Sequence, residues 1–218
     1  MKINIKKTNF VIFDCDGVIL NSNKIKTNAF KQTLSKYPKD KVMQLIDFHK
    51  KNGGISRKIK FDYFFKDILK ENSQKLINDS LDQFKKNSFK KLIKSRYISG
   101  VLNFIKILHK YKIKIFIVSG AFEKELREIF NLRKKDHMFL EILGTPKNKE
   151  ENIKYLFKKY SLENKNGLFF GDAETDYLVS KKFNIKFIFV SSESEWSDFK
   201  KIHNLSIIEN FTNIECQF

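Results

Sequence analysis

Short apolar runs alternate with stretches of helical period along most of the chain. FVIF at 10–13 is bounded by polar positions and is too short for a helix, so it predicts a buried strand. IKIFIV at 113–118, FLEIL at 139–143, GLFF at 167–170 and KFIFV at 186–190 predict further strands of the same kind. Between them, Val101, Leu102, Phe104, Ile105 and Leu108 recur at helical spacing, and 122–132, 149–160 and 173–183 predict helices of similar length. Strands alternating with helices imply βα units and a parallel sheet. Right-handed crossovers then place the C-terminal ends of the strands on one edge.

Residues 23–95 break the alternation. Ile25, Ala29, Phe30, Thr33 and Leu34 form one helical stripe, and Val42, Leu45, Ile46 and His49 a second. Phe61, Phe64, Phe65, Ile68 and Leu69 form a third, and Leu76, Ile77, Leu81 and Phe84 a fourth, with Pro38 and Gly53-Gly54 as punctuation. The pattern reads as a helical segment inserted into an α/β domain.

At 218 residues the chain suits one large or two small domains, and 41% hydrophobic residues suffice for a core. No apolar run is long enough to span a membrane, and the N-terminal run breaks at Asp14, too early for a signal peptide. Cys15 and Cys216 make neither a disulfide framework nor a zinc site, which points to a reducing, cytoplasmic setting. The formal charge of +18 raises nucleic acid as a partner. The arginines are Arg57, Arg96, Arg127 and Arg133, so the basic residues are almost all lysine, and they are spread along the whole chain rather than gathered in a stripe. That distribution argues against a nucleic-acid face and for a field that attracts small anions.

The candidate chemistry sits at strand ends. Asp14-Cys15-Asp16-Gly17 follows the first strand and places two carboxylates one residue apart, an arrangement that favours a nearby cation, although a turn or helix cap uses the same residues. Ser119-Gly120 ends the 113–118 strand, where a capping serine would also do. Gly171-Asp172-Ala173-Glu174-Thr175-Asp176 follows 167–170; Asp172 and Asp176 are four apart, and Asp172 is alternatively a helix cap. Lys147 and Lys149 flank the start of a helix, where lysines are ordinarily solvated. Together these residues offer the hard oxygens that Mg²⁺ prefers, with a serine and a lysine for phosphate oxygens.

FDCDGV, IVSG, the lysine and GDAETD, in that order, resemble the four motifs of the haloacid dehalogenase-like hydrolases over essentially the whole chain. The resemblance implies an α/β fold with a Rossmann-like parallel-sheet core at 1–19 and 97–218 and a helical cap domain at 20–96, as in phosphoglycolate phosphatases and β-phosphoglucomutases. It implies Asp14 as nucleophile and Asp16 as general acid/base. Mg²⁺ would be held by the side chains of Asp14 and Asp172 and the main-chain carbonyl of Asp16, with Asp176 in support. Ser119, Gly120 and Lys149 would bind phosphate, with Lys147 as the alternative lysine. Members that cleave carbon–halogen or carbon–phosphorus bonds lack the second aspartate, so Asp16 favours phosphoryl transfer. Arg57, in the Gly53-Gly54-Ile55-Ser56-Arg57 stretch, is expected to contact phosphate or a second anionic group, because an arginine in a lysine-rich chain suggests bidentate geometry. A helix end followed by a Ser-capped helix would give the same stretch. His49 and Trp196 are expected to serve packing, and 204–218 to form a final strand or short helix against the sheet. The expected activity is hydrolysis of a small phosphomonoester, a sugar phosphate or phosphorylated acid, through an aspartyl-phosphate; the alternatives are a phosphosugar mutase, an end-processing phosphatase on nucleic acid, and an inactive scaffold. Partners are expected to be a small phosphorylated metabolite and no membrane, with the chain a monomer or homodimer.

Overall fold

The computed structural model describes residues 1–217. The strands β2 (Phe10–Phe13), β3 (Lys114–Phe122), β4 (Glu141–Thr145), β5 (Gly167–Gly171), β6 (Lys186–Val190) and β7 (Ile207–Ile208) form one sheet in the order β4-β3-β2-β5-β6-β7. All of its pairs are parallel, with Phe10 opposite Lys114 on one side and Gly167 on the other. Strand alternation splits the side chains between two faces. Val11, Phe13, Ile115 and Ile117 pack with helices α5 (Val101–Lys110) and α6 (Glu123–Leu132). Phe10, Ile12, Phe116 and Val118 pack with α7 (Lys149–Tyr160) and α8 (Glu174–Lys182). A parallel sheet covered on both faces needs apolar strands throughout, which is why β2 is buried at every position.

The segment between β2 and α5 holds α1 (Asn23–Thr33), α2 (Lys39–Lys51), α3 (Arg57–Asp62, continued by a π-helical turn at Tyr63–Ile68) and α4 (Gln74–Ile93). These helices share a core of their own, in which Phe30, Phe61 and Phe84 meet at ring separations of 4.6–6.1 Å. The chain leaves and re-enters the sheet region side by side. Leu20 bridges Tyr97, the Asn21 amide donates to the Arg96 carbonyl at 2.8 Å, and the Ile98 amide to the Ile19 carbonyl at 2.9 Å. Arg133, at the end of α6, clasps the returning strand: it lies 4.1 Å from the Tyr97 ring centre and donates to the carbonyls of Ile93 and Ser95.

Three expectations shift. β3 runs on through Phe122, because the register slips between Val118 and Phe122 and lets Phe122 pair with Thr145. β4 begins at Glu141 rather than 139, because a 3₁₀ turn takes Asp136–Met138. The tail divides: Ile207–Ile208 joins β6, while β8 (Glu215–Gln217) pairs with β1 (Lys2–Asn4) in a separate two-stranded sheet, and Phe211 packs against Phe13, Phe104 and Phe170. Phe218, also placed in that tail, lies outside the described residues. Among the described residues no helix is long and apolar enough to cross a membrane.

Phe61 is fully buried in the helical segment. Phe61→Ala is expected to lower the unfolding free energy by about 3–5 kcal/mol in chemical denaturation, the usual cost of deleting a core aromatic ring.

Candidate active site

Parallel pairing brings four separated pieces of sequence to one edge. Asp14 follows β2, its amide donating to the Phe170 carbonyl at 2.9 Å. Ser119 and Gly120 lie in β3 just before its end, and Asp172 follows β5. Lys149 opens α7, where Asn148 and Glu151 form a reciprocal capping box that fixes the first turn. Asp176, in the first turn of α8, accepts the Ala173 amide at 3.2 Å. Ala173, not Asp172, is the N-cap of α8. Lys147 instead lies 5.3 Å from the Tyr155 ring centre.

The charges concentrate in the interior. Asp14, Asp172 and Asp176 are all buried, and each offers an oxygen within 4.8 Å of the others. Lys149 bridges two of them, at 3.2 Å from Asp14 and 2.5 Å from Asp176, while the Asp172 side chain accepts the Asn23 amide at 2.7 Å and its carbonyl the Ser194 hydroxyl. Burial pushes Asp14 up to about 7 against the pull of Lys149, with Asp176 and Asp16 adding to the rise. Burial, then the charges of Asp14 and Asp176, holds Asp172 well above the carboxylate range. Burial would lower Lys149, but Asp14 and Asp176 outweigh it and keep the ammonium charged. Asp14 Oδ1 is buried and makes no well-aligned hydrogen bond, with only the Lys149 ammonium beside it at 3.2 Å. Three buried carboxyl groups with one lysine are a donor set short of positive charge, and their oxygens fit a hard divalent cation such as Mg²⁺.

Asp16 stands in the same cavity wall with partners of its own. It accepts the Ser22 hydroxyl at 2.6 Å and pairs with Lys26 of α1. Burial alone would raise it, but the Lys26 charge and the hydrogen bonds from Lys26 and Ser22 hold it below its usual value.

A cavity of about 80 Å³ lies between this edge and the helical segment, with Asp14, Asp16, Ser119 and Gly120 in its wall. Its volume is room for a handful of waters, below the roughly 300–1,000 Å³ of ordinary ligand pockets. The Gly53-Gly54 turn covers one side. Thr175 Oγ1 donates to the Gly53 carbonyl at 2.8 Å, Gly54 has φ +78°, and a methyl group on Gly120 would come within 2.0 Å of the Gly54 carbonyl oxygen.

Arg57 lines this cavity, but its guanidinium is engaged by Glu125 of α6 at 3.0 and 2.6 Å and lies between the rings of Phe84 and Phe122. In this arrangement its fork grips a protein carboxylate across the two halves of the molecule.

His49 and Trp196, expected to serve packing, both reach the cavity wall. Trp196 packs on Phe189. His49 belongs to a buried polar row: Lys60 Nζ lies 2.7 Å from His49 Nδ1, His49 Nε2 lies 3.1 Å from Thr27 Oγ1, and Thr27 donates to Glu195 at 3.3 Å. Burial, then the charge of Lys60, pushes His49 well below its usual value, so its ring is neutral. Burial and the nearby Lys26 bring Lys60 down to about 7, against the opposing charges of Asp16 and Glu195. Sequence reasoning did not single out Asn23, Lys26, Lys60, Glu125 or Glu195. Only Lys60 carried a signal, a lysine next to Phe61 on the apolar stripe of α3.

Comparison with known proteins agrees with this geometry. Residues 11–190 match the model of a family described as haloacid dehalogenase-like hydrolase. None of the curated proteins compared matches the chain. Among solved structures, a protein described as a predicted phosphoglycolate phosphatase from Haemophilus somnus 129PT aligns with TM-score 0.72 and 19% identity over 94% of this chain and 95% of its own. CbbY from Rhodobacter sphaeroides, solved with xylulose-(1,5)bisphosphate, aligns with TM-score 0.76 and 10% identity over 96% of this chain and 97% of its own. A β-phosphoglucomutase from Clostridium difficile aligns with TM-score 0.73 and 17% identity over 94% and 92%. At such identities the likeness is one of fold, and it is the family match across residues 11–190 that places this chain among the haloacid dehalogenase-like hydrolases.

Proposed function

We propose that the protein is a Mg²⁺-dependent phosphatase acting on a small phosphomonoester through an aspartyl-phosphate on Asp14. The observation that carries this reading is the buried cluster of Asp14, Asp172 and Asp176 around the single Lys149 ammonium. In the first step an Asp14 oxygen attacks phosphorus, the bond from phosphorus to the leaving oxygen breaks, and Asp16 gives its proton to that oxygen. In the second, water attacks phosphorus, Asp16 takes back a proton, and the bond to Asp14 breaks to release phosphate. Ser119, the Gly120 backbone and Lys149 hold the phosphoryl oxygens. Asp14, Asp172 and the Asp16 carbonyl would hold Mg²⁺, with Asp176 positioning Lys149; the metal, when bound, neutralises charge on the phosphoryl group. The Lys26 pair keeps Asp16 in its base form, so the acid step requires Lys26 to turn away as substrate enters. The bisphosphate and phosphosugar named for CbbY and the mutase support a phosphorylated metabolite as substrate.

Helices α1–α4, residues 20–96 with their hinges, act as a lid in this reading. The Gly53-Gly54 turn and the Arg57–Glu125 pair hold it shut, excluding water during chemistry. Arg57 keeps the role of a specificity residue only through that closure. The tight enclosure also favours the second reading, a phosphosugar mutase, in which the phosphoryl group returns to substrate; isomerisation of a hexose 1-phosphate without phosphate release would distinguish it.

A phosphate-release screen over sugar phosphates, small phosphorylated acids and nucleotides, with and without Mg²⁺, tests the reading. Asp14→Asn is expected to abolish turnover, and wild-type activity in that variant would overturn the assignment. Asp16→Asn is expected to slow turnover by about 10²–10⁴-fold. Mg²⁺ is expected to raise the Tm of the wild type, and Asp172→Asn to erase that rise in a thermal melt. Glu125→Gln leaves Arg57 without its charge partner, and steady-state kinetics are expected to show a loss of roughly ten- to a hundredfold in kcat/KM, the worth of a charged hydrogen bond.

A further inference from the structure

The first helix of the helical segment begins with side chains directed at the sheet edge rather than at its own backbone. Ser22, at the N-cap of α1, makes no capping hydrogen bond, and its hydroxyl is turned to Asp16 at 2.6 Å. Asn23, the next residue, reaches Asp172. An amide nitrogen carries two N–H donors. Asn23 spends one on Asp172 Oδ2 at 2.7 Å and the other on the Glu193 carbonyl at 2.8 Å. Turned over, the amide would set its oxygen against a carboxylate and a carbonyl, so only this orientation is bonded. Gly17 makes the approach possible, because a Cβ there would collide with both Asp172 Oδ2 and Asn23 Nδ2. The main chain of Asp172 is held from the same loop: Ser194 Oγ donates to its carbonyl at 2.5 Å and accepts the Trp196 amide at 3.0 Å.

Asp172 differs from its neighbours in the cluster. Asp14 and Asp176 face Lys149, whereas among the described residues no lysine or arginine nitrogen lies within 4.0 Å of Asp172. Its Oδ2 has the Asn23 amide, and its Oδ1 accepts no hydrogen bond among the described residues. A lysine in the place of Asn23 would neutralise this carboxyl and compete with a metal for it. An amide fixes the rotation of the carboxyl group without cancelling its charge, as partners behind metal ligands do.

We propose that Asn23 is a positioning residue for the metal site: by holding Asp172 Oδ2 it keeps the other oxygen available to Mg²⁺. The inference rests on the Mg²⁺-dependent phosphatase reading and adds a residue that the helical segment supplies to a site otherwise built from the sheet edge.

Isothermal titration of Mg²⁺ into the substrate-free full chain tests this. Asn23→Leu keeps the bulk of the side chain and removes both donors, and it is expected to raise the Kd for Mg²⁺ by about 10–100-fold, the usual cost of losing such a partner. If that variant does not fold, Asn23→Ala, which removes the donors and adds no branched bulk, carries the same expectation. Asn21→Leu is the control. Asn21 donates to Glu193 Oε1 at 2.8 Å, so this variant removes a neighbouring hydrogen bond to the same loop without touching Asp172, and it is expected to bind Mg²⁺ as the wild type does. Wild-type affinity in the Asn23 variants overturns the proposal. An equal loss in Asn21→Leu would show that Asn23 acts only by fastening α1 to the loop, and overturns it as well. A wild type that binds no Mg²⁺ overturns the proposal together with the metal-dependent reading. A wild type that binds Mg²⁺ through Asn23 but releases phosphate from no ester overturns the phosphatase reading alone.

Discussion

The structure is organised around a cluster of carboxyl groups held where burial opposes their ionisation. Three carboxylates converge at one edge of the parallel sheet, and one lysine faces two of them. Each would be protonated or expelled in an ordinary core. They are held because each comes from a separate rigid element: Asp14 from the end of β2, Asp172 from the end of β5, and Asp176 and Lys149 from the first turns of helices whose N-termini are fixed by hydrogen bonds. The apolar strands below are packed on both faces, so the cluster keeps its spacing, and its oxygens suit the cation and phosphoryl group of the proposed reaction.

The sheet and the motif residues were legible because both are local signals. FVIF, GLFF and KFIFV lack polar interruption, and a strand covered on both faces permits none. Asp14, Ser119, Lys149 and Asp172 stand at fixed distances from such runs, so parallel pairing alone places them together. The alternative lysine, Lys147, could not be separated from Lys149 by spacing; the capping box at Asn148 and Glu151 distinguishes them in space. Asn184 adopts φ +52° after α8, a left-handed conformation that asparagine tolerates.

What stayed hidden depends on contacts between distant segments. Arg57 was read as a ligand for anions because of its residue type, but type does not show that Glu125, sixty-eight positions later, supplies the anion. Lys60 is one lysine in a chain full of them, and only its burial against His49 sets it apart. His49 falls on an apolar stripe, which reads as packing; the polar row through Thr27 to Glu195 appears only when α1, α2 and the loop after β6 are brought together.

The sandwiching of Arg57 between Phe84 and Phe122 separates two kinds of electrostatics in one molecule. The diffuse lysine field reaches through solvent, and salt attenuates it over about 8–10 Å. The aromatic rings keep counter-ions away from the guanidinium–carboxylate clasp. Ionic strength should therefore govern how fast a small anion approaches while leaving almost untouched the clasp that ties the helical segment to α6, so approach and closure answer to different features of the environment.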